Sequence, residues 1–393
     1  MPNRMMFLCL PIALLACSNG DSTVADNASS QSGESPIAPV DRLPFSIRTM
    51  AKFEAPWAMA FLPDGRLLVT EKAGILKLYS PASGTTITVA GVPEVVDQGQ
   101  GGFGDVVPGP GFRDNGLLYL SWVEAGDEGL TGAVVGRAKL VENEAGTRLE
   151  GLRVIWRQRP KVNGDGHFAQ RIIFSPDGQY MFISSGERQK FTPAQDMAAN
   201  LGKIIRLRPD GSVPTDNPFA QKGGVAAQIW SLGHRNGLGL AFDADGRLWE
   251  HEMGPRGGDE VNLIKKGANY GYPTVSNGDH YDGRPIPDHD SRPEFEAPKL
   301  WWNPSISPAG MAIYSGNLFP EWKGSIFLGA LSGEALIRVA LDGDNARKAD
   351  QWDMGQRIRE VEQGPDGALW ILEDGSSARL LKLTPHSTNS AAR

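Results

Sequence analysis

A short turn-and-strand unit recurs six times along the 393-residue chain and constrains the fold more than any other feature. A tight turn, usually Asp-Gly or Asn-Gly, stands before a run of apolar and β-branched or aromatic residues. The copies begin at Phe61, Phe112, Phe174, Phe242, Phe319 (a degenerate copy) and Gly364. Asp-Gly and Asn-Gly supply the positive φ angles of a tight hairpin, so each copy predicts two strands joined by a turn.

The repeat also predicts the architecture. No long stretch after residue 43 has the 3.6-residue apolar period of a helix, so an all-β fold is expected. Small units that cannot bury their apolar faces alone form arrays, and four-stranded blades around a channel fit this unit size. We therefore predict a six-bladed β-propeller over residues 43–386. A linear β-solenoid is the alternative, although its repeats would be shorter and more regular. The long gaps at 127–170 and 265–310 are expected to be loops and insertions gathered on one face.

Charge and cysteine content exclude other classes of protein. The 46 acidic residues outnumber the 39 basic ones, giving a net charge of −7, whereas a nucleic-acid binder would need a basic surface. The two cysteines, Cys9 and Cys17, both precede the predicted propeller. We therefore expect neither an internal disulfide nor a cysteine-based zinc site in the folded body.

The N-terminal segment predicts export. Residues 5–16 form an apolar run that is too short to span a bilayer but has the length of a signal-peptide core. The run ends in Leu-Leu-Ala-Cys, which resembles a bacterial lipoprotein signal with Cys17 as the lipidated residue; an ordinary secretory signal is the alternative. We expect a periplasmic protein held by a lipid on Cys17, with Ser18 favouring the outer membrane. Residues 18–42 then form a flexible tether, and residues 387–393 a disordered tail.

Two glycine-rich segments carry candidate catalytic residues. Around Gln100, four glycines would let the backbone approach a ligand closely, although a tight bend explains them equally well. No Lys-Ser/Thr follows, so this is not a phosphate-binding loop. His167 lies in a glycine-flanked loop before the third repeat, and Glu187 lies at the far end of the same repeat. A histidine oriented by a carboxylate is a natural general base, whereas a lone loop histidine is often only a surface residue.

Two further segments suggest ion binding. Residues 251–262 combine acidic side chains with a Gly254-Pro255 step and lack the second histidine of a zinc protease. Such an oxygen-rich loop suits calcium, and a solvated charged loop is the alternative. Arg357 and Arg359 lie two residues apart on a predicted strand and therefore on one face, with Glu360 facing the other way. Paired guanidinium groups predict a ligand with several negative charges.

In their order along the chain, these segments resemble one enzyme family. They are Gln-Gly-Gly-Phe-Gly, His-x-x-x-Arg, Gly-His-Arg-Asn, Glu-Met-Gly-Pro-Arg-Gly-Gly-Asp-Glu, Asn-Tyr-Gly-Tyr-Pro and Arg-x-Arg-Glu. Over about residues 45–385 the chain is similar to soluble aldose sugar dehydrogenases that use pyrroloquinoline quinone (PQQ), relatives of the soluble quinoprotein glucose dehydrogenase. The resemblance implies a six-bladed propeller, in agreement with the repeat count.

The resemblance also assigns roles to individual residues. It implies that His167 removes the proton of the sugar's anomeric hydroxyl, that Glu187 is its acidic partner and that Gln100 contacts the substrate and cofactor region. The cofactor would be held by Arg235, Asn236, Arg357 and Arg359. One calcium ion would bind the carbonyls of Gly254 and Pro255 against the cofactor. A second, structural calcium would bind Glu260 and the carbonyl oxygen of Tyr270.

One departure and two other functions complete the expectations. Ser332 stands where glucose dehydrogenases have a cofactor-contacting lysine, a loss that Arg338 or Lys323 would have to offset. The first alternative function is a calcium-dependent hydrolase such as a lactonase, which needs side-chain oxygens converging on a metal at the channel centre. The second is a non-enzymatic propeller that binds sugar or protein. The resemblance implies an aldose as the small-molecule partner, while the sequence identifies no electron acceptor and fits either a monomer or a dimer.

Overall fold

Six four-stranded antiparallel sheets form a ring in the computed structural model, which describes residues 43–386. The predicted six-bladed β-propeller is confirmed. The predicted signal peptide with Cys17, the tether and the C-terminal tail lie outside the described residues. Among the described residues, no helix has the length and apolar character needed to cross a membrane.

The strands follow the chain blade by blade. The first strand is β1 (Phe45–Phe53). Blade 1 contains β2 (Pro56–Phe61), β3 (Leu67–Glu71), β4 (Ile75–Ser80) and β5 (Thr85–Val89). Blade 2 contains β6 (Phe103–Pro108), β7 (Leu117–Ala125), β8 (Thr131–Asn143) and β9 (Gly146–Arg157). Blade 3 contains β10 (Ala169–Phe174), β11 (Met181–Ser185), β12 (Lys203–Leu207) and β13 (Ile229–Leu232).

The second half of the ring adds one small extra sheet. Blade 4 contains β14 (Gly237–Phe242), β15 (Leu248–Glu252), β17 (Asp259–Ile264) and β19 (Leu300–Trp302), while β16 (Arg256–Gly257) pairs separately with β18 (Gly278–Asp279). Blade 5 contains β20 (Pro308–Ile313), β21 (Ile326–Ala330), β22 (Ala335–Asp342) and β23 (Asn345–Asp353). Blade 6 contains β24 (Ile358–Gln363), β25 (Leu369–Glu373), β26 (Ala378–Pro385) and β1.

Helices within residues 43–386 are short. There is one α-helical turn, α1 (Phe112–Asn115). The 3-10 turns are Asp127–Gly129, Thr192–Ala194, Ala220–Lys222, Ala226–Gln228, His289–Ser291 and Pro320–Trp322.

Each repeat found in the sequence is the turn between the first two strands of a blade. The copy at Phe61 joins β2 to β3, and the copy at Gly364 joins β24 to β25. The expectation for residues 127–170 was wrong, because this gap contains the long hairpin β8–β9. In β8 residues 132–136 are buried in an unbroken run, and most of β9 is exposed or half-buried, so neither strand has the strict alternation that marks a strand in a sequence.

The ring is closed by pairing the two ends of the described chain. β1 runs antiparallel to β26, from Phe45 opposite Pro385 to Phe53 opposite Ala378. The innermost strands contact one another in the circular order β2, β6, β10, β14, β20, β24 and back to β2. The six inner strands, the first of each blade, therefore line the central axis of the ring.

The apolar core lies between blades. Six clusters each join two neighbouring blades, as Leu68 and Trp122 do between blades 1 and 2, and Phe327 and Leu369 between blades 5 and 6. Burial of this surface, at about 25 cal/mol per Å² of apolar area, favours ring closure. The axis is therefore free to carry polar groups.

Every inner strand shifts register near its start, and in three blades a hydroxyl fills the irregularity. The Ser121 hydroxyl accepts the Asp105 N–H at 2.7 Å and donates to the Gln170 carbonyl of the next blade at 2.7 Å. Thr70 and Ser184 make the same pair of contacts in blades 1 and 3. Since a bulge re-aims the side chains around it, these hydroxyls fix the direction of residues at the axis.

Removing one of these hydroxyls is expected to destabilise the ring. Ser121→Ala leaves a buried N–H and a buried carbonyl without partners, each worth about 1–3 kcal/mol. We expect the free energy of unfolding to fall by about 2–4 kcal/mol in urea titrations. Ser83→Ala, at an exposed turn, is the control and should change it by less than about 0.5 kcal/mol. Equal stability of the two variants would contradict the structural role of Ser121.

Candidate active site

A cavity of about 1000 Å³ opens on the axis where the inner strands begin. It brings together residues that lie more than 250 positions apart in the sequence. The predicted site residues that line it are Gln100, His167, Arg235, Asn236, Gly254, Pro255, Arg357 and Arg359. Glu187 lies directly behind His167.

His167 and Glu187 form a buried dyad. His167 Nδ1 lies 2.5 Å from Glu187 Oε1, and the two residues are 5% and 0% exposed. The backbone N–H groups of Gln189, Lys190 and Phe191 donate to the same carboxylate at 2.9, 2.6 and 2.7 Å. These donors fix the carboxylate, and the carboxylate fixes the imidazole.

The environment keeps the dyad in the form of a base. Burial lowers the pKa of His167 below its usual value, against the raising effect of Glu187. Burial acts to raise the pKa of Glu187, but the hydrogen bond to His167 and the backbone donors outweigh it, so that pKa lies below its usual range. At neutral pH the imidazole is therefore neutral and donates Nδ1–H to the carboxylate. Nε2 has no hydrogen-bond partner within residues 43–386 and is left to accept a proton.

The backbone around His167 is strained. His167, Ala169 and Gln170 have φ angles of +50°, +59° and +70°. Non-glycine residues adopt such angles rarely, and they cluster at functional sites. The His167 N–H donates to Gln100 Oε1 at 2.8 Å, so Gln100 holds this loop as well as lining the cavity.

Arg357 and Arg359 lie next to each other, and the carboxylate of Asp374 binds both guanidinium groups. Asp374 accepts from Arg357 Nε at 2.8 Å and from Arg359 Nε and Nη2 at 2.9 and 2.8 Å. All three residues line the cavity, and together they keep one positive charge. Asp374 was missed by the sequence analysis, which looked for the counter-charge only on the same strand.

Arg235 and Asn236 lie on the opposite wall. Arg235, 4% exposed, donates through Nη1 to the carbonyls of Met253 and Gly254 at 2.9 and 2.6 Å, while its Nε has no partner within the described chain. Asn236 Oδ1 accepts the Ala169 N–H at 3.1 Å. The Gly254 carbonyl, predicted to bind calcium, therefore already accepts one hydrogen bond, and its second lone pair remains for an ion.

A lysine that the sequence analysis overlooked also lines the cavity. Lys72 follows β3 directly, and its Nζ donates to the Gly99 carbonyl at 2.9 Å. Ser332 instead donates to the Ser307 hydroxyl at 2.8 Å, and Arg338 pairs with Asp350 on blade 5. Lys72, rather than Arg338, is thus placed to offset a cation absent at Ser332. Lys72 also pairs with Asp97 at 3.5 Å, and with Arg235, Arg357 and Arg359 it makes a cationic cradle that fits an anionic ligand.

Glu260 and Tyr270 line a separate, much smaller cavity of about 10 Å³ together with Glu252. A void of that size holds one water or one ion. Next to it, ligand atoms of His234, Glu250 and Glu252 lie within 4.8 Å of one another. Burial and the neighbouring Glu252 raise the pKa of Glu250 well above its usual range. Crowded buried carboxylates fit a divalent cation with oxygen ligands.

At the centre of the channel the buried carboxylates of Asp105 and Glu360 pair with Arg171. Asp105 lies 3.6 Å from Arg171, and Glu360 accepts a hydrogen bond from the same guanidinium group. Arg171 Nε also donates to the Leu238 carbonyl at 2.8 Å. This arrangement does not provide the central metal site that the hydrolase alternative requires.

Comparison with known proteins identifies the family of this chain. Residues 53–382 match the family described as Glucose / Sorbosone dehydrogenase. The chain belongs to this family.

Relatives of this glucose/sorbosone dehydrogenase family member are similar over most of their length. Aldose sugar dehydrogenase YliI of Escherichia coli (strain K12) is 40% identical over 344 residues, 86% of this chain and 91% of the relative. The structure of the apo-form of the soluble E. coli aldose sugar dehydrogenase has a TM-score of 0.81 at 38% identity, covering 87% of this chain and 99% of that one. A PQQ-bound aldose sugar dehydrogenase from Streptomyces coelicolor has a TM-score of 0.71 at 29% identity, covering 88% and 99%. The chain is therefore a sugar dehydrogenase, an oxidoreductase.

The dyad of this sugar dehydrogenase makes a prediction for titration. The His167 pKa, read from its ring resonances by NMR, should lie below 6.5. In Glu187→Gln it should lie lower still, because the carboxylate is the group that raises it. Glu94→Gln, at an exposed position, is the control and should leave the titration unchanged. A rise of the pKa in Glu187→Gln would contradict the assigned geometry.

Proposed function

We propose that the chain oxidises aldose sugars at the anomeric carbon to lactones, using PQQ and calcium. The observation that carries the proposal is the His167–Glu187 dyad facing the same cavity as Arg235, Arg357 and Arg359. A base and the cationic cradle in one cavity suit a reaction that removes a proton from the substrate beside a negatively charged cofactor. The relative with PQQ bound adds support from the family.

The cationic cradle would hold the cofactor. Arg357 and Arg359 present guanidinium edges from one wall, and Arg235 and Asn236 present donors from the other. Trp57, Leu238 and Met253 form an apolar patch on the cavity wall, which would exclude water from beside a bound cofactor. When bound, the quinone supplies the acceptor for the anomeric hydride.

His167 would accept the proton. Its Nε2 would take the proton of the C1 hydroxyl while Nδ1–H keeps donating to Glu187, whose carboxylate stabilises the imidazolium that forms. Gln100 Oε1 is committed to the His167 backbone, so its amide nitrogen is the group left to orient the substrate. Loss of the C1 hydroxyl proton to His167 and of the anomeric hydride to a bound quinone would leave a carbonyl at C1, which is the lactone.

Calcium would act at two places. The carbonyls of Gly254 and Pro255 on the cavity wall would hold one ion that withdraws charge from the cofactor. Glu260 and the Tyr270 carbonyl would hold a second ion in the small cavity, where it balances the charge of buried carboxylates.

We also propose that the protein is exported to the periplasm and anchored by a lipid on Cys17.

Activity should depend on His167. With PQQ and calcium added, dye reduction with glucose is expected to fall about 10²- to 10⁴-fold in His167→Ala, the usual yield of general base catalysis. His386→Ala, at an exposed position, is the matched control and should keep full activity. Wild-type protein that oxidises no aldose, or a fully active His167→Ala, would refute the proposal.

Calcium removal should destabilise the protein through Glu260. A chelator is expected to lower the melting temperature of the wild type, and added calcium to restore it, since a ligand at a hundredfold excess over its Kd stabilises by about 2.7 kcal/mol. Glu260→Gln should lose at least half of this shift, while Glu144→Gln at an exposed turn keeps it. A wild-type melting temperature indifferent to calcium would exclude the structural ion.

A further inference from the structure

Two segments beside the active-site cavity contain more than half of the left-handed backbone that residues 43–386 show outside glycine. Eleven residues other than glycine have φ angles between +41° and +70°, and six of them lie at 167–170 and 188–191. Such residues are strained and persist only where their surroundings over-determine them. The segments face each other: the Arg188 N–H donates to the His167 carbonyl at 3.2 Å, and the Gly186 N–H donates to the Phe168 carbonyl at 3.1 Å. Contacts between them therefore decide where the base lies.

The Arg188 side chain binds the loop just before His167. Its Nε donates to the Gly166 carbonyl at 2.9 Å, and its Nη2 donates to the Gly164 carbonyl at 2.5 Å. On the other side, Nη1 donates to the Thr131 carbonyl at 2.7 Å, and Nη2 donates to the Thr131 hydroxyl at 2.9 Å. The guanidinium group thus joins the loop that carries the base to the start of β8 in blade 2.

Arg188 is buried without an ion pair. It is 1% exposed, its donors bind three carbonyls and one hydroxyl, and it forms no salt bridge within residues 43–386. Its guanidinium carbon lies 3.7 Å from the centre of the Phe168 ring, which covers one face. Burial lowers the pKa of Arg188 to about 10, against the raising effects of Glu187 and Asp165. A buried charge is costly unless it is hydrogen-bonded, so the guanidinium group and the loop conformation that supplies its acceptors require each other.

Arg188 also acts on His167 through its charge. Burial is the main cause that lowers the pKa of His167, and the charged groups facing the imidazole are Glu187, Arg235 and Arg188. Glu187 raises that pKa, whereas the two arginines lower it. Loss of the Arg188 charge should therefore raise the pKa of His167. A lysine in its place keeps the charge but lacks the planar fork that reaches acceptors on two sides.

We propose that Arg188 is a positioning residue for sugar oxidation: its guanidinium fork holds the His167 loop in the left-handed conformation that leaves Nε2 facing the active-site cavity. The inference rests on the proposed function and adds a residue that acts through His167. Arg188 is not among the residues that line the cavity, so substrate binding should not depend on it.

The first test measures turnover and substrate binding separately. With PQQ and calcium added, dye reduction with glucose should give a kcat about 10- to 100-fold lower in Arg188→Lys, because small misplacements of a catalytic group cost this much. KM should stay within about twofold of the wild-type value, since the substrate contacts remain.

Arg206→Lys is the matched control. Arg206, on β12 of blade 3, is also a buried arginine at 4% exposure, and its guanidinium carbon lies 3.8 Å from the Tyr180 ring, but it does not line the cavity. Its kcat should stay within about twofold of the wild type. An unchanged kcat in Arg188→Lys, or an equal fall in both variants, would overturn the inference while the proposed function stands.

Titration of protein without added cofactor provides the second arm. The His167 pKa, read by NMR, should rise in Arg188→Gln, which loses the charge and loosens the loop, and less in Arg188→Lys; Arg206→Lys should leave it unchanged. An unchanged pKa in Arg188→Gln counts against the positioning role. If no aldose is oxidised at all, the proposed function fails and this titration alone decides.

A milder variant covers the case in which the Arg188 variants do not fold. Thr131→Val removes the hydroxyl that accepts from Nη2 and leaves the arginine in place. Loss of this one hydrogen bond to a charged group should lower kcat about three- to tenfold and raise the His167 pKa. A Thr131→Val protein with the wild-type kcat and the wild-type titration would then overturn the inference.

Discussion

One guanidinium group on the axis connects most of the propeller. Arg171, on β10, lies over the Trp57 ring of blade 1 at 4.2 Å, contacts Asp105 of blade 2 and Glu360 of blade 6, and donates to the Leu238 carbonyl of blade 4. Five of the six inner strands thus meet at a single side chain. Blade 5 has Gly310 at this position. Its lack of a side chain leaves room for the Glu360 carboxylate, because a Cβ on Gly310 would collide with it. Removing one partner of such a buried ion pair leaves an uncompensated charge and is strongly destabilising.

This central contact also divides the channel. On one side lies the active-site cavity, whose lining includes Trp57 and Leu238; on the other lies a cavity of about 470 Å³ lined in part by Asp105 and Glu360. Most functional groups of the active-site cavity lie outside the strands, although Arg359 belongs to β24. Lys72, Met253, Leu331 and Asp374 each follow the second strand of their blade and line the cavity. The ring provides rigidity, and these strand ends provide the chemistry.

The fold could be predicted because its signal is local. Asp-Gly turns and the strands beside them are encoded within about ten residues, and every such copy proved to be the same hairpin of a blade. The site was predictable in part for the same reason: His167, Gln100 and the arginine pair stand in segments with unusual local chemistry. Asp374 could not be found that way, since its contact with Arg357 and Arg359 depends on the pairing of β24 with β25 and on the bulge between Ile358 and Glu360. Lys72 was missed for a similar reason, but in four of the six blades a cavity residue directly follows the second strand, and a repeat-by-repeat alignment would reveal this recurrence.

The pairing of β1 with β26 has a consequence for the order of events during biogenesis. Among the described strands, β1 is synthesised first and its partner β26 last. β1 therefore stays unpaired until the five intervening blades have been synthesised. Pairing across such a sequence distance is slow, because the entropy of closing the loop opposes it before any contact forms. The sixth blade is therefore completed last, and truncation at either end of the described chain would leave an open arc with a bare β edge in place of a circle.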